Sequence, residues 1–225
     1  MSYLNHVLGY FDLARNYRNY QLDLIRKFVG GNILEVGPGR GEIIENFISA
    51  DNKITMIDTD EEMCKVIRER FKNSDVKILN SNISSLEEKF DTILYMDVIE
   101  HIENDIKELD QAISKLNKNG KLVIIVPAFS ILFSDFDKSV GHFRRYTKKN
   151  FFNYKNSEVK LRNLKYFDSL GFFILFLSKI LKFKGNSKAV FGIKVWNMLI
   201  PISRLIDKII FHSLGKSLIC VYEKI

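Results

Sequence analysis

Three glycines follow a short apolar run near the start of the chain. Gly37, Gly39 and Gly41 stand directly after the run 32–36. Glycine adopts backbone angles that other residues avoid, and it lets the main chain approach a bound molecule closely. Helical spacing resumes over residues 42–50, and a helix beginning there would direct free N–H groups at the same space. The pattern predicts a ligand-binding turn, although a simple chain reversal has the same composition.

A carboxylate follows the next apolar run. Asp58 ends the run 53–57, seventeen residues after Gly41. A carboxylate at this place can accept hydrogen bonds from both hydroxyls of a ribose. The alternative is a cap for the helix predicted from Glu61, but Asp60 is better placed for that task. We therefore predict ribose binding by Asp58.

The residues after the glycines argue against a phosphate ligand. Glu42 stands where a dinucleotide fingerprint needs a third glycine or alanine. The Lys and Ser/Thr that follow the last glycine of a phosphate-binding P-loop are missing as well. A carboxylate at this position would also repel a pyrophosphate. The turn therefore favours a nucleoside without phosphates.

A second group of reactive side chains lies in residues 134–150, and its members are His142, Arg144, Arg145 and Tyr146. An imidazole titrates near neutral pH and can act as a base, with Asp135 or Asp137 to orient it. The two arginines can clamp a phosphate or carboxylate. The structural alternative is an ion pair from Arg144 or Arg145 to Asp137 in a lid loop.

These groups need a scaffold, and the hydrophobic pattern supplies one. Strands are predicted at 32–36, 53–57, 76–79, 90–96 and 121–126, with helices at 42–50, 61–71 and 104–116. Strands that alternate with helices indicate a parallel sheet, whose carboxyl edge binds ligands. After Pro127 we predict a short helix at 147–154, a strand at 159–166, apolar helices at 168–183 and 190–211, and a last strand at 217–223.

Four segments resemble motifs of the class I S-adenosylmethionine (SAM)-dependent methyltransferases. They are 33–41 (Ile-Leu-Glu-Val-Gly-Pro-Gly-Arg-Gly), 56–63, 90–102 and 116–122, in the order of that family. The resemblance implies a Rossmann-like three-layer α/β sandwich, with a seven-strand, mostly parallel sheet and one antiparallel strand at its edge. A helical apolar insertion near the C-terminal end accompanies it. The chain is then a single domain, with N-terminal helices over 1–31, a cofactor-binding core over 32–127 and a substrate-side lid over 128–225.

The resemblance also implies the cofactor, SAM, and the residues that bind it. Glu35 and the backbone around the glycines would hold the methionine part, Asp58 the ribose, and Thr59 would lie beside the adenine. Asn82 replaces the family's usual aspartate, but its side-chain oxygen can still accept from the adenine amine. Met96 and Asp97 would flank the sulfonium, whereas His101 would pack behind the site. The full set is Glu35, Gly37, Pro38, Gly39, Gly41, Asp58, Thr59, Asn82, Ile83, Met96 and Asp97.

The segment Gly-His-Phe-Arg-Arg-Tyr at 141–146 resembles a subgroup of this superfamily with a Gly-His-x-Arg-Arg-Tyr motif. Members of that subgroup often modify sugars or lipids of the cell envelope. Methyl transfer to oxygen is an in-line displacement that often needs a base for the acceptor's proton. We expect His142 to be that base, Arg144, Arg145 and Tyr146 to contact the substrate, and a small-molecule, sugar or lipid-linked acceptor to be methylated at oxygen.

Charge is unevenly distributed along the chain. The net charge is +7, which divides into −2 over residues 1–150 and +9 over 151–225. The apolar helices over 168–211 either form a buried cap or dimer contact, or lie on a membrane surface with Lys and Arg toward the lipid headgroups. The sequence shows no signal peptide, membrane-spanning segment or disulfide pattern, so we expect a cytoplasmic protein. If the apolar helices bind a membrane, the protein would be peripheral on its inner face.

Other functions are compatible with the same sequence features. A nicotinamide-dependent oxidoreductase shares the sheet but not the glycine fingerprint. The basic tail suggests a nucleic-acid methyltransferase, but the Asn-Pro-Pro-Tyr type of motif is absent after the fourth strand, so no nucleic-acid partner is predicted. A non-catalytic SAM-binding protein at a membrane is the third alternative. The four histidines are scattered in sequence, and no metal site is predicted.

Overall fold

The computed structural model describes residues 13–181 and 189–225. Two parts of the predicted helices therefore lie outside the described residues, namely 1–12 and 182–183. The remaining predicted elements can all be compared with the structure.

Seven β-strands form one sheet in the described part of the chain. They are β1 Asn32–Val36, β2 Lys53–Asp58, β3 Val76–Asn80, β4 Phe90–Met96, β5 Leu116–Pro127, β6 Val159–Phe167 and β7 Ser217–Lys224. Their order is β3-β2-β1-β4-β5-β7-β6, and only β7 runs antiparallel to its neighbours. The predicted Rossmann-like, mostly parallel sheet with one antiparallel strand is confirmed.

The expected place of the antiparallel strand at the edge of the sheet is wrong. β7 lies between β5 and β6, and its central residues, Leu218 to Tyr222, are all buried. A strand covered on both faces is apolar at every position. β6 instead alternates apolar residues with Lys and Arg, a pattern that suits an exposed edge and discourages pairing with other chains.

Helices cover both faces of the sheet. Their bounds are α1 Arg15–Ile25, α2 Glu61–Arg70, α3 Asp105–Ser114, α4 Asp135–Ser139, α5 Lys148–Asn153, α6 Ser169–Ile180 and α7 Ala189–Ile209. Successive strand residues point to opposite faces. Leu34 and Val36 therefore join one core with α3 and α5, while Ile33 joins the other with α1, α2 and α7. The result is the predicted three-layer sandwich.

The helix predicted over 42–50 is wrong. This segment contains a 3-10 turn, Ile44–Phe47, in place of an α-helix. The Asn46 side-chain amide donates to the carbonyl oxygens of Glu42 and Ile43, at 2.9 and 3.3 Å. A side chain that takes these carbonyls competes with the backbone N–H groups that would continue a helix.

The two apolar helices pack together over α1 and the end of β6. Asp168 caps α6 and accepts from the Trp196 indole N–H and the Ser203 hydroxyl of α7, at 2.8 and 3.0 Å. Many apolar side chains on both helices nevertheless remain exposed. Among the residues that the structure describes, no helix is both long enough and apolar enough to span a bilayer.

Candidate active site

The glycine turn lies at the centre of the carboxyl edge of the sheet. β1 stands between β2 and β4, with Val36 opposite Ile57 on one side and Tyr95 on the other. Parallel strands that end together bring the loops after them to one place. Asp58 and Asp97 therefore flank the turn from either side.

The turn has the backbone that its glycines predict. Gly37, Gly39 and Gly41 have φ values of 61°, 56° and 75°, in the left-handed region that favours glycine. A Cβ atom on Gly37 would lie 3.0 Å from a methyl group of Val98. Pro38 between them is buried. The main chain thus fits closely against the loop after β4 and presents its own atoms at the strand ends.

Glu35 is the most unusual carboxylate of the turn. It is 1% exposed, and its Oε2 atom has no hydrogen-bond partner within the described structure. Burial, with the nearby Glu42, raises its pKa to about 8. A buried carboxylate without a partner stabilises a cation placed beside it. The ammonium group of a methionine moiety meets that requirement.

Asp58 ends β2 in the predicted position. Its Oδ1 atom accepts from the Asp60 backbone N–H at 2.9 Å, and burial raises the pKa of the carboxyl group. Asp60 caps α2 by accepting from the Glu62 N–H, also at 2.9 Å. The predicted helix cap by Asp60 is confirmed, whereas ribose binding by Asp58 stays a prediction. Thr59 is exposed beside them.

Asn82 is engaged locally. Its side-chain oxygen accepts from the Ser84 hydroxyl at 2.6 Å and from the Ser85 N–H at 3.2 Å, which caps the 3-10 turn Ile83–Ser85. Ile83 is fully buried in the core. A hydrogen bond from an adenine amine to Asn82 stays a prediction, and it would share an oxygen that already accepts from the protein.

Asp97 follows Met96 at the end of β4 and has a φ of 57°. It accepts from the Gln21 side-chain amide of α1 at 3.2 Å. Burial raises the pKa of the Asp97 carboxyl group, although the charge of Lys216 lowers it. The Lys216 ammonium lies 3.6 Å from the centre of the Trp196 ring. Gln21 and Lys216 belong to no motif in the sequence, and only the fold shows that they belong here.

His142 and Asp137 form a buried pair. The His142 Nδ1 atom lies 3.0 Å from Oδ1 of Asp137, which has no exposed surface. Arg145 donates to both oxygens of this carboxylate, and Ser134 adds its N–H and hydroxyl. Burial alone would raise the pKa of Asp137, but these donors hold it well below its usual range. Asp137, and not the exposed Asp135, therefore orients the imidazole.

The other expected substrate contacts have partners within the protein. Arg144 pairs with Asp105 at 2.7 Å and donates to the Glu103 carbonyl. Tyr146 is buried, and its hydroxyl also donates to Asp105, at 2.8 Å. Arg145 pairs with Asp137, which is the structural alternative that the sequence left open. Substrate binding by these three residues stays a prediction, and the structure shows each of them in a structural contact.

His101 and Glu100 approach His142 from the loop after β4. The His101 ring meets that of His142 edge to face, with the ring centres 4.5 Å apart. The expectation that His101 packs behind the site stays a prediction. Glu100 is fully buried, neither of its carboxylate oxygens has a hydrogen-bond partner in the described structure, and one lies 3.9 Å from His142 Nε2. Burial and the neighbouring Asp97 raise the pKa of Glu100. Desolvation and His142 lower the pKa of His101 to about 4.

A polar groove of about 480 Å³ lies beside the glycine turn. It is lined by α1 and by residues of the turn and of α2, including Arg18, Arg40, Glu42 and Arg70. Ion pairs from Arg18 and Arg70 to Glu42 cross it. Its lining includes neither Asp58 nor His142.

Comparison with known proteins identifies the family. A family model described as a methyltransferase domain matches residues 12–168, and the chain belongs to this family. The predicted class, a class I methyltransferase that uses SAM, is thereby confirmed. The nicotinamide-dependent alternative is set aside.

Solved structures share the fold. Coclaurine N-methyltransferase, bound to N-methylheliamine and S-adenosylhomocysteine, is 16% identical, with coverage of 92% of this chain and 70% of that one and a TM-score of 0.63. The S-adenosylhomocysteine complex of N-methyltransferase NodS from Bradyrhizobium japonicum WM9 is 15% identical, with coverage of 93% and 86% and a TM-score of 0.59. Likeness at this level of identity shows the fold alone.

A curated relative matches a shorter stretch. Ribosomal RNA small subunit methyltransferase A of Mycoplasma capricolum subsp. capricolum (strain California kid) is 25% identical over 57 residues, which are 25% of this chain and 21% of the relative. The chain spans less than a third of the length of the curated relatives it matches.

The residues at the strand ends fit SAM. When bound, SAM supplies a methyl group on a positively charged sulfur. The Glu35 carboxylate, whose Oε2 atom has no hydrogen-bond partner in the described structure, and the glycine backbone would hold its methionine part, and the Asp58 carboxylate its ribose. Asp97, at the end of the central strand β4, would stand near the sulfonium.

Proposed function

We propose that the chain transfers the methyl group of SAM to a hydroxyl oxygen of a small-molecule, sugar or lipid-linked acceptor. The acceptor would bind where β4 and β5 end, beside His142. The observation that carries this proposal is the Asp137–His142 pair. The buried Asp137 carboxylate binds the Nδ1 atom of the imidazole and leaves Nε2 without that partner, 3.9 Å from Glu100.

Transfer to oxygen requires the acceptor's proton to leave. Asp137 accepts the hydrogen bond from Nδ1, which fixes the ring and makes Nε2 the nitrogen available to the acceptor. In the simplest form of the proposal, His142 takes the proton at Nε2 while the acceptor oxygen attacks the methyl carbon. Glu35 and Asp58 would contribute alignment, since they would hold the methionine part and the ribose of the cofactor.

An exposed apolar stripe on α7 supports a lipid-linked acceptor. Phe191, Met198, Ile202 and Leu205 recur at helical spacing and are 53–70% exposed. Lys194 and Lys208 lie at the same spacing and are exposed as well. Apolar side chains flanked by lysines suit the surface of an anionic membrane. We propose that the protein binds such a surface peripherally, at the cytoplasmic face, and methylates an acceptor held there.

The test is to incubate the purified protein with isotopically labelled SAM and a cell-envelope extract, and to identify the methylated product by mass spectrometry. Wild-type protein should label a lipid or sugar fraction. His142→Gln should lose transfer by at least about 100-fold while it still binds SAM. His212→Gln is the matched control, because that imidazole contacts the Tyr166 carbonyl far along the chain.

Full activity of His142→Gln would overturn the role of this residue. A parallel incubation with RNA tests the alternative acceptor that the ribosomal RNA methyltransferase match suggests. Labelling of RNA alone would replace the lipid or sugar proposal. SAM binding without transfer to any fraction would favour a non-catalytic protein.

A further inference from the structure

We propose that Glu100, His101 and His142 form a binding site for one divalent transition-metal cation, with Zn²⁺ as the preferred ion. Each residue offers one ligand atom, and these atoms all lie within 4.8 Å of one another. The two histidines are far apart in sequence, so the fold alone brings them together. Cation binding itself does not depend on the proposed function, although its consequence for the acceptor does.

Glu100 provides the strongest argument. It has no exposed surface, and both of its carboxylate oxygens lack a hydrogen-bond partner in the described structure. Burial of a carboxylate without partners is costly, and buried charges in proteins are paired or bound to metals. One of these oxygens lies 3.9 Å from His142 Nε2. A cation between the two would satisfy both groups.

The surroundings of His142 are those of a metal ligand. A metal-binding histidine usually donates its other ring N–H to a carboxylate, which fixes the tautomer and the orientation of the ring. Asp137 accepts from Nδ1 at 3.0 Å, and Arg145 holds Asp137 in turn. Nε2 is therefore the nitrogen that faces Glu100 and His101.

The choice of ligands indicates the kind of ion. Two imidazoles and one carboxylate suit Zn²⁺ and neighbouring transition metals, whereas Mg²⁺ and Ca²⁺ prefer oxygen ligands. Ligand atoms round Zn²⁺ stand about 3.3 Å apart, given its bond lengths of about 2.0–2.1 Å. Side-chain movements of about an ångström therefore close the site. Three protein ligands also leave a position for water or for the acceptor oxygen.

This site would define how His142 acts. With a cation bound, Nε2 would be a ligand and could not take the acceptor's proton. The cation would instead lower the pKa of the acceptor hydroxyl, so that its proton leaves to solvent as the oxygen attacks the methyl carbon. His101 is exposed and Glu100 is buried, so the open coordination position would lie on the solvent side, where an acceptor can enter.

The experiment uses the full chain without an affinity tag, stripped with EDTA and desalted. Calorimetric titration with ZnCl₂ should show one site per chain, with a Kd at least 100-fold lower than for MgCl₂. His101→Ala and Glu100→Gln should each weaken Zn²⁺ binding by about 100-fold or more, since even second-shell changes cost about 10–100-fold. His212→Ala should leave the Kd unchanged. Circular dichroism and SAM binding establish that each variant is folded.

Two outcomes would overturn the site. One is the absence of saturable Zn²⁺ binding, and the other is binding that survives both His101→Ala and Glu100→Gln. Co²⁺ provides a second readout, because its visible absorption reports nitrogen and oxygen ligation and should disappear in His101→Ala. If methyl transfer needs His142 but resists EDTA, the cation has no part in the reaction, and the proposed function still stands. Zn²⁺ binding without transfer would do the reverse.

Discussion

The Nδ1 atom of His142 lies 3.0 Å from Oδ1 of Asp137, a carboxylate with no exposed surface. Arg145 and Ser134 donate hydrogen bonds to the same carboxylate. The position of Asp137 therefore does not depend on the imidazole that it orients. The whole arrangement lies within twelve residues of the chain. It forms a local unit at the carboxyl edge of the sheet, in which hydrogen bonds between near neighbours set the direction of the His142 Nε2 atom.

We expect Asp137→Asn to damage both activity and stability. The substitution removes the charge that balances Arg145 and the fixed acceptor for Nδ1, so transfer should fall by about 100-fold or more. Loss of one partner from a buried ion pair should cost about 3 kcal/mol of unfolding free energy. Urea denaturation and the labelled-SAM assay measure the two effects. Asp135→Asn, at an exposed carboxylate on the same helix, should change neither.

Glu35 should make SAM binding depend on pH. Its pKa is raised to about 8 in the ligand-free protein, and the ionised form attracts the ammonium group. Affinity should therefore rise with pH up to about 8, by as much as about tenfold per unit. Calorimetry from pH 6 to 9 tests this, and Glu35→Gln should bind weakly with little of the slope. An equal slope in that variant would assign the titration to another group.

The same carboxyl group should affect the stability of the ligand-free protein. The pKa of Glu35 is 4.5 in the unfolded chain and about 8 in the folded protein. Its contribution to the free energy of unfolding is therefore fully present below pH 4.5 and is lost as the pH rises through about 8. Melting temperatures should therefore decline over this interval more in wild-type protein than in Glu35→Gln. Parallel melting curves for the two proteins would contradict the assignment.

Asp58 and Asp60 form a matched pair for mutation. Asp58→Ala should weaken SAM binding by about 10–100-fold, because hydrogen bonds to a charged group are worth about 1.5–3 kcal/mol. Asp60→Ala should leave the affinity nearly unchanged and cost about 1 kcal/mol of stability through the loss of the α2 cap. Calorimetry and denaturation separate the two, and the reverse pattern would exchange their roles.

Gly37→Ala should impair the turn. Its φ of 61° is unfavourable for alanine, and the new Cβ would lie 3.0 Å from Val98. SAM affinity should drop, and Val98→Ala should restore only part of it, because the backbone strain remains. Gly192→Ala in α7 is the control, since a Cβ there has no neighbour within 4 Å and a helix favours alanine. Unchanged SAM binding in Gly37→Ala would show that the turn is not the cofactor site.

The stripe on α7 should bind anionic vesicles. Sedimentation with phosphatidylglycerol-containing vesicles should recover the protein, less so at high salt, and little should bind to pure phosphatidylcholine. Met198→Asp together with Leu205→Asp should abolish binding. Ile106→Asp, at a half-exposed residue of α3 on the opposite layer, should not. Binding that persists in the double variant would place the membrane contact elsewhere.

The sequence predicted what is encoded locally. Strand positions follow from apolar runs, the glycine turn from backbone freedom, and the Asp60 cap from its distance to the helix start. The sequence misled where one side chain competes with the backbone: Asn46 takes the carbonyls that a helix over 42–50 needs. That bond is local, but apolar periodicity does not reveal it.

Convergence over long distances was beyond sequence reasoning. Gln21 approaches Asp97 across 76 positions, and Lys216 lies near the same carboxyl group from the far end of the chain. The histidines look scattered because His101 and His142 stand in different loops, and only the order of β4 and β5 in the sheet brings their rings together. A single sequence carries no signal for such pairs.

The interior place of β7 has a consequence for assembly. In the described sheet β6 pairs only with β7, so residues 159–167 have no strand to join until residues 217–224 have been synthesised. Lys216 reaches the carboxyl edge of the sheet in the same step. A ribosome-bound chain that stops short of this point would thus contain the glycine turn, His101 and His142 but an incomplete sheet. Completion of this sheet is tied to the arrival of β7.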